Sequence, residues 1–141
     1  MILPDVNIIV HSFRSDASEH NKCRSWLDSV VNGDARYGIS PQVLSKMICI
    51  VTHPKIFTEP SSLNEVLAFC EILIIQNHCV PITPGREHWN IFKRLCVEAD
   101  ARGNLVQSAW FSALAIESGC EWITLDRDFA RFPDLKWRLP G

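Results

Sequence analysis

Two apolar runs in this chain stop abruptly on carboxylates. In EWITLDRDF, Glu121 to Phe129, the residues Trp122, Ile123 and Leu125 with the β-branched Thr124 have strand character and end at Asp126 and Asp128. At the start of the chain Met1, Ile2 and Leu3 run into Pro4 and Asp5, after which Val6 to Phe13 carries apolar residues at helical spacing. Open α/β sheets bind their ligands at the carboxyl ends of the strands, which is where Asp5 and Asp126 fall. An acid there can serve such a site, or it can cap the helix that follows by accepting its free amides. Taken singly, each Asp is explained by capping; as a pair on two strand ends they point to a site.

The composition is that of a soluble globular protein: 141 residues, 47% hydrophobic and 21% charged. This suits one domain spanning residues 1–141 with a sizeable core. A formal net charge of -2 gives no global positive field, so nucleic acid would have to meet a local patch. No apolar run is long enough to span a bilayer, and the first residues lack a leader pattern, which places the protein in the cytoplasm. The six cysteines (Cys23, Cys49, Cys70, Cys79, Cys96 and Cys120) form no C-x-x-C pair and mostly sit in apolar helical patterns, as small buried hydrophobes in a reducing compartment do. The five histidines are scattered with no H-x-x-x-H spacing, so structural zinc is not expected.

The elements that must position the acids alternate between strand and helix. Helices are expected over Val6–Phe13, Glu19–Val31, Pro41 to about Thr52, a segment capped by Ser62 and running to about Ile75, Glu87 to about Ala99, and Asn104–Glu117. Short strands are expected over Arg36–Ile39 and Cys79–Thr83, with Trp137 on a final edge strand. Such alternation implies a parallel sheet with helices on both faces. Trp89, Phe92, Leu95 and Cys96 fall on the inward face of their helix.

MILPDVNIIV, SPQVLSKMICIVTHPKIF and RGNLVQSAWFSALAIESGCEWITLDRDFARFPDLKW together resemble PIN-domain proteins, in particular the VapC toxins of bacterial toxin–antitoxin pairs. The most specific pieces are the D-x-N at Asp5 and Asn7 and the T-x-D-x-D-F from Thr124 to Phe129, supported by G-N-L-V at Gly103. The resemblance implies a small three-layer α/β/α sandwich with a short, mostly parallel sheet. It also implies a Mg²⁺- or Mn²⁺-dependent endoribonuclease, homodimeric and neutralised by a VapB antitoxin. Hard Mg²⁺ prefers carboxylate and water ligands, and a shared cation lets clustered acids stay ionised together. Asp5 and Asp126 would hold the metal, Asp128 would be an outer ligand, and Asn7 and Thr124 would orient the carboxylates or waters.

Two positions depart from the family pattern. VapC proteins usually carry an acid, commonly Glu, in the helix around VLSKM and another Asp at the start of the helix opening G-N-L-V; this chain has Lys46 and Ser108 near those places. A hydroxyl is a poor Mg²⁺ ligand. The Lys46 ammonium is expected either to be a solvated surface charge or to reach Asp5 or Asp126 in place of a cation. Three accounts fit the departures: a weakened nuclease with one metal on Asp5, Asp126 and Asp128; a natural pseudo-toxin that keeps fold and partner binding; or changes selected during cloning of a lethal gene.

Arg102 and Arg127 adjoin the acidic edge and are the best of the arginines for holding an RNA backbone. Tryptophans can stack bases, but Trp26, Trp89 and Trp122 fall on apolar faces, leaving Trp110 unplaced. The rival function class is a catalytically silent PIN-like module that binds an antitoxin through a groove between the helices Val6–Phe13 and Glu19–Val31. A receiver domain would need a central phosphoacceptor Asp and a late Lys, and neither is evident.

Overall fold

The computed structural model describes all residues from Met1 to Gly141. In chain order the elements are β1 (Ile2–Pro4), α1 (Val6–Phe13), α2 (His20–Val31), β2 (Tyr37–Ile39), α3 (Pro41–Val51), α4 (Leu63–Ile75), β3 (Cys79–Pro81), α5 (His88–Glu98), α6 (Asn104–Ser118), β4 (Glu121–Ile123) and β5 (Trp137–Arg138). Between β4 and β5 lies a turn of 3-10 helix, Arg127–Arg131.

Every strand pairing is parallel, as the alternation predicts. β4 lies between β1 and β5 in one ladder, and β2 pairs with β3 in another. β2 runs close beside β1: a Cβ on Gly38 would stand 3.3 Å from the Ile2 carbonyl oxygen. Only glycine tolerates that approach without a shift. The register sets Pro4 opposite Ile123, so Asp5 and Thr124 emerge together at the carboxyl edge.

Helix boundaries follow the local chemistry. Ser40 and Ser62 cap α3 and α4 through their hydroxyls, each accepting an amide three residues on, and Pro41 occupies the first position of α3. Gly119 closes α6 in the left-handed region, φ 71°. The core is continuous from α1, α3, α4 and α6 through the sheet, with Trp122 fully buried against Phe111 and Phe129.

Four expectations need correction. The last strand before the acids is Glu121–Ile123 rather than Trp122–Leu125, because the Leu125 amide is taken by Asn7 Oδ1 (3.1 Å) instead of a neighbouring strand. Trp89 is 60% exposed, not inward; it leans on Phe92 at the surface. Cys49 is exposed, whereas Cys23, Cys70 and Cys120 are buried, and no cysteine is paired. The surface of α1 and α2 carries no exposed large apolar side chain, since the two helices bury their apolar residues against each other and the sheet. Five such side chains (Leu63, Leu67, Ile72, Ile74 and Ile75) lie on α4 instead.

Candidate active site

Asp5 ends β1 and caps α1, its Oδ1 accepting the Val6 amide at 2.6 Å. Its Oδ2 accepts a 2.6 Å bond from the Thr124 hydroxyl and a 3.2 Å bond from Asn7 Nδ2. Thr124 Oγ1 also accepts from Asn7 Nδ2 at 3.2 Å and from the Asp126 amide at 3.0 Å. Asn7 completes the loop by accepting the Leu125 amide. The two motifs of the sequence, D-x-N and T-x-D, are thereby one hydrogen-bonded unit formed across the β1–β4 pairing. Asp126 caps its own turn, Oδ1 accepting the Asp128 amide at 2.9 Å. Capping and site membership are thus compatible: each acid caps, and both line one cavity.

That cavity encloses about 310 Å³ and is lined chiefly by Asp5, Asn7, His11, Lys46, Ser108 and Asp126, with Phe111 and Phe129 among its apolar walls. Asp5 is only 5% exposed. Burial pushes its carboxyl up from 3.8 to about 6; the Thr124 and Val6 hydrogen bonds pull against this, the charge of Asp126 adds to it, and Lys46 opposes it. A buried carboxyl whose ionisation is opposed by burial and by the neighbouring charge of Asp126 makes this end of the cavity electronegative.

Lys46 stands in the cavity wall, yet its ammonium bonds Gln107 Oε1 (3.3 Å) and makes no ion pair with either aspartate. The direct replacement of a cation by Lys46 is therefore not realised; the side chain is exposed at the cavity mouth and acts on Asp5 through its field. Ser108 faces the cavity, its hydroxyl bonding back to the Asn104 carbonyl (3.3 Å) in the first turns of α6. Asp128 is exposed and does not line the cavity. Arg102 is exposed and pairs with Asp100 (3.3 Å), and Arg127 lies exposed beside Asp126; neither lines the cavity.

Sequence reasoning missed His11 and Gln107. The signal was helical spacing: His11 is four residues beyond Asn7, and Gln107 is adjacent to Ser108 and four before Phe111. The Glu19 amide donates to His11 Nδ1 (3.2 Å), so the neutral ring carries its proton on Nε2.

No three His, Cys, Asp or Glu side chains gather into a metal-binding group. Asp5 and Asp126 alone are nevertheless a donor set that Mg²⁺ accepts, since it commonly takes one or two carboxylates and keeps several waters. Burial is the main cause of the raised Asp5 carboxyl and the charge of Asp126 adds to it; a cation bound between the two would oppose both effects.

The pattern of the PIN domain matches residues 2–135. Over 140 residues the chain is 36% identical to Ribonuclease VapC43 of Mycobacterium tuberculosis, covering 99% of this chain and 95% of that protein. This chain belongs to the VapC family of PIN-domain proteins. VapC25 of the same organism is 35% identical, with 99% of each chain covered. The VapC fold is matched by solved structures as well. One is VapBC2 from Rickettsia felis bound to a promoter DNA fragment (TM-score 0.70, 16% identity, all of both chains). Another is the sarcin–ricin-loop-cleaving toxin VapC20 of M. tuberculosis (TM-score 0.65, 13% identity, 92% of this chain and 93% of that one). The three-layer α/β/α fold expected from sequence is the fold these structures share, and the resemblance to VapC ribonuclease toxins rests on the curated relatives.

Proposed function

We propose that this chain is a VapC-type toxin that hydrolyses RNA phosphodiester bonds with Mg²⁺ or Mn²⁺, through a cation site weakened at Lys46 and Ser108. The observation that carries this reading is the convergence of Asp5 and Asp126, from opposite ends of the sequence, on one cavity. In it Asp5 and Asp126 hold the cation, and Asp128 contributes from outside the cavity through the turn it shares with Asp126. When bound, the cation supplies an activated water and offsets charge on the phosphate oxygens. Thr124 and Asn7 keep the Asp5 carboxylate fixed so that no reorganisation is needed on binding. Arg102 and Arg127, exposed outside the cavity lining, hold the RNA backbone without reading sequence. The chain acts as a single domain in the cytoplasm, where six unpaired cysteines are at home; no helix is long and apolar enough to cross a membrane.

Its partners in this reading are a VapB-type antitoxin and a second copy of itself. The solved neighbours include VapBC complexes, and α4 carries five exposed large apolar side chains available for such contacts.

A second reading is favoured by the Lys46–Gln107 bond and the neutral Ser108: a silent module that keeps the fold and its antitoxin but no chemistry. Incubation of labelled single-stranded RNA with the protein in Mn²⁺ and in EDTA separates the two. The enzyme reading expects cleavage in Mn²⁺, abolished by EDTA and by Asp126→Asn. Intact RNA under all conditions, together with tight antitoxin binding, establishes the silent module.

A further inference from the structure

A second groove of about 400 Å³ opens beside the acidic cavity and shares Lys46, Gln107 and Phe111 with it. Its remaining walls include Gln42 and Ser45 on α3 and Trp110 on α6. No carboxylate lines it, in contrast to the acidic cavity. Trp110 is half-buried and braced edge-on by His88 (ring centroids 4.1 Å apart) and Phe92 (5.2 Å), and its carbonyl is within hydrogen-bond distance, 3.0 Å, of His88 Nε2. It is a fixed aromatic wall rather than a mobile surface side chain.

The polar groups of this groove are biased toward donation. An ammonium can only donate, so the 3.3 Å contact of Lys46 Nζ with Gln107 is made to its amide oxygen and leaves the Gln107 NH₂ unengaged. Ser40 Oγ already accepts the Val43 amide, so its proton goes to Gln42 Oε1 (3.1 Å), again leaving an NH₂ without a protein partner. Two amide donors and an ammonium thus border an aromatic wall next to the acidic pair.

We propose that this groove is a nucleobase subsite, in which a base flanking the phosphate at Asp5 and Asp126 stacks on Trp110 while Gln42 and Gln107 donate to its carbonyl oxygens. The inference rests on the ribonuclease reading and adds its specificity. Uracil and guanine present carbonyl acceptors to such donors; adenine sets an amino donor beside its ring acceptors and meets them poorly. Lys46, shared by both cavities, neutralises the phosphate that joins them.

Fluorescence anisotropy in EDTA, where metal-dependent cleavage is stopped, tests this with three labelled dodecamers: oligouridylate, oligoadenylate and an abasic ribose-phosphate chain. The wild-type protein should bind oligouridylate about tenfold more tightly than the abasic chain, the size of one base–aromatic stack, with oligoadenylate between them. Trp110→Leu should bring oligouridylate to the abasic level, whereas Trp110→Phe, which keeps an aromatic ring against His88, should retain most of the difference. Gln42→Leu combined with Gln107→Leu should erase the preference for uridylate over adenylate, read as the ratio of the two affinities. Wild-type ratios in both Trp110→Leu and the double variant overturn the base subsite alone. A wild-type protein that binds none of the three overturns the subsite, and one that in addition leaves labelled RNA intact in Mn²⁺ overturns the ribonuclease reading with it.

Discussion

The Thr124 hydroxyl donates a 2.6 Å hydrogen bond to Asp5 Oδ2 across 119 residues of sequence. It also accepts from Asn7 Nδ2 and from the Asp126 amide, so one oxygen ties together all four residues of the two acidic motifs. Thr124→Val keeps the volume but leaves a buried carboxylate oxygen and an amide short of partners. It should cost about 2 kcal/mol of stability in urea unfolding. Since that hydrogen bond holds the Asp5 carboxyl down, its pKa should rise further, visible in carboxyl ¹³C NMR, while Thr124→Ser should titrate like the wild type. An unchanged titration in Thr124→Val would mean that the hydroxyl does not govern Asp5.

The burial of Asp5 makes stability depend on pH with a definite sign. The carboxyl is raised from 3.8 to about 6, so folding is favoured below the lower value and loses that advantage as pH rises through the higher one. By linkage the ionised group costs about 3 kcal/mol above this window. Asp5→Asn, which still caps α1, should therefore be more stable than wild type near pH 7.5 by about 2 kcal/mol and nearly equal to it near pH 4. Chemical unfolding at the two pH values measures this. Mn²⁺ should narrow the gap at the higher pH by stabilising only the wild type. A variant less stable than wild type at both pH values would contradict the assignment of a strained carboxylate.

Ser108 is the position at which the site is most easily restored. Its hydroxyl already lines the cavity and spends itself on a bond to the Asn104 carbonyl, so an acid there adds a hard oxygen ligand without displacing core. Ser108→Asp should tighten Mn²⁺ binding in calorimetry by about tenfold, and more strongly when combined with Lys46→Glu, which also removes a competing cation. Because loss of one metal-site acid can cost several kcal/mol of transition-state stabilisation, RNA cleavage in Ser108→Asp should rise by as much as about a thousand-fold. The same change in an Asp5→Asn background should restore neither. Equal Mn²⁺ affinities in wild type and Ser108→Asp would remove Ser108 from the site.

The fold was legible where local chemistry speaks unambiguously. Ser40-Pro41, Ser62 with Glu65, and Ser118-Gly119 mark helix ends that the structure keeps to within a residue or so, and the alternation of elements implied the parallel sheet it has. The position of Asp5 and Asp126 at strand ends was legible from the apolar runs that precede them, whereas Asn7 and Thr124 came into view only through the resemblance to VapC proteins. What escaped was whatever depends on which face of a helix meets which neighbour. Trp89 follows an inward period but stays at the surface, leaning on Phe92. The partner of Lys46 was set by a side chain 61 residues away, Gln107, that no local pattern marks. The apolar face of α4 was invisible for a related reason: its sequence is apolar nearly all round, so periodicity cannot say which side the core takes.

The groove along one side of that helix supplies the last prediction. Leu67 and Ile74 border a hydrophobic groove of about 320 Å³ lined also by Ile39, Leu44 and Ile48. Contiguous apolar surface of this kind is costly to leave in water and marks an interface. With a second copy of the chain seated there, Ile74→Asp introduces a charge that must be desolvated on association and should convert the protein to a monomer in sedimentation velocity. The site lies on other elements, so Mn²⁺ affinity per chain should stay within about twofold. A wild-type protein that sediments as a monomer at all concentrations would instead leave this face to the antitoxin, in which case Ile74→Asp should weaken antitoxin binding by about a hundred-fold, as expected for a buried anchor.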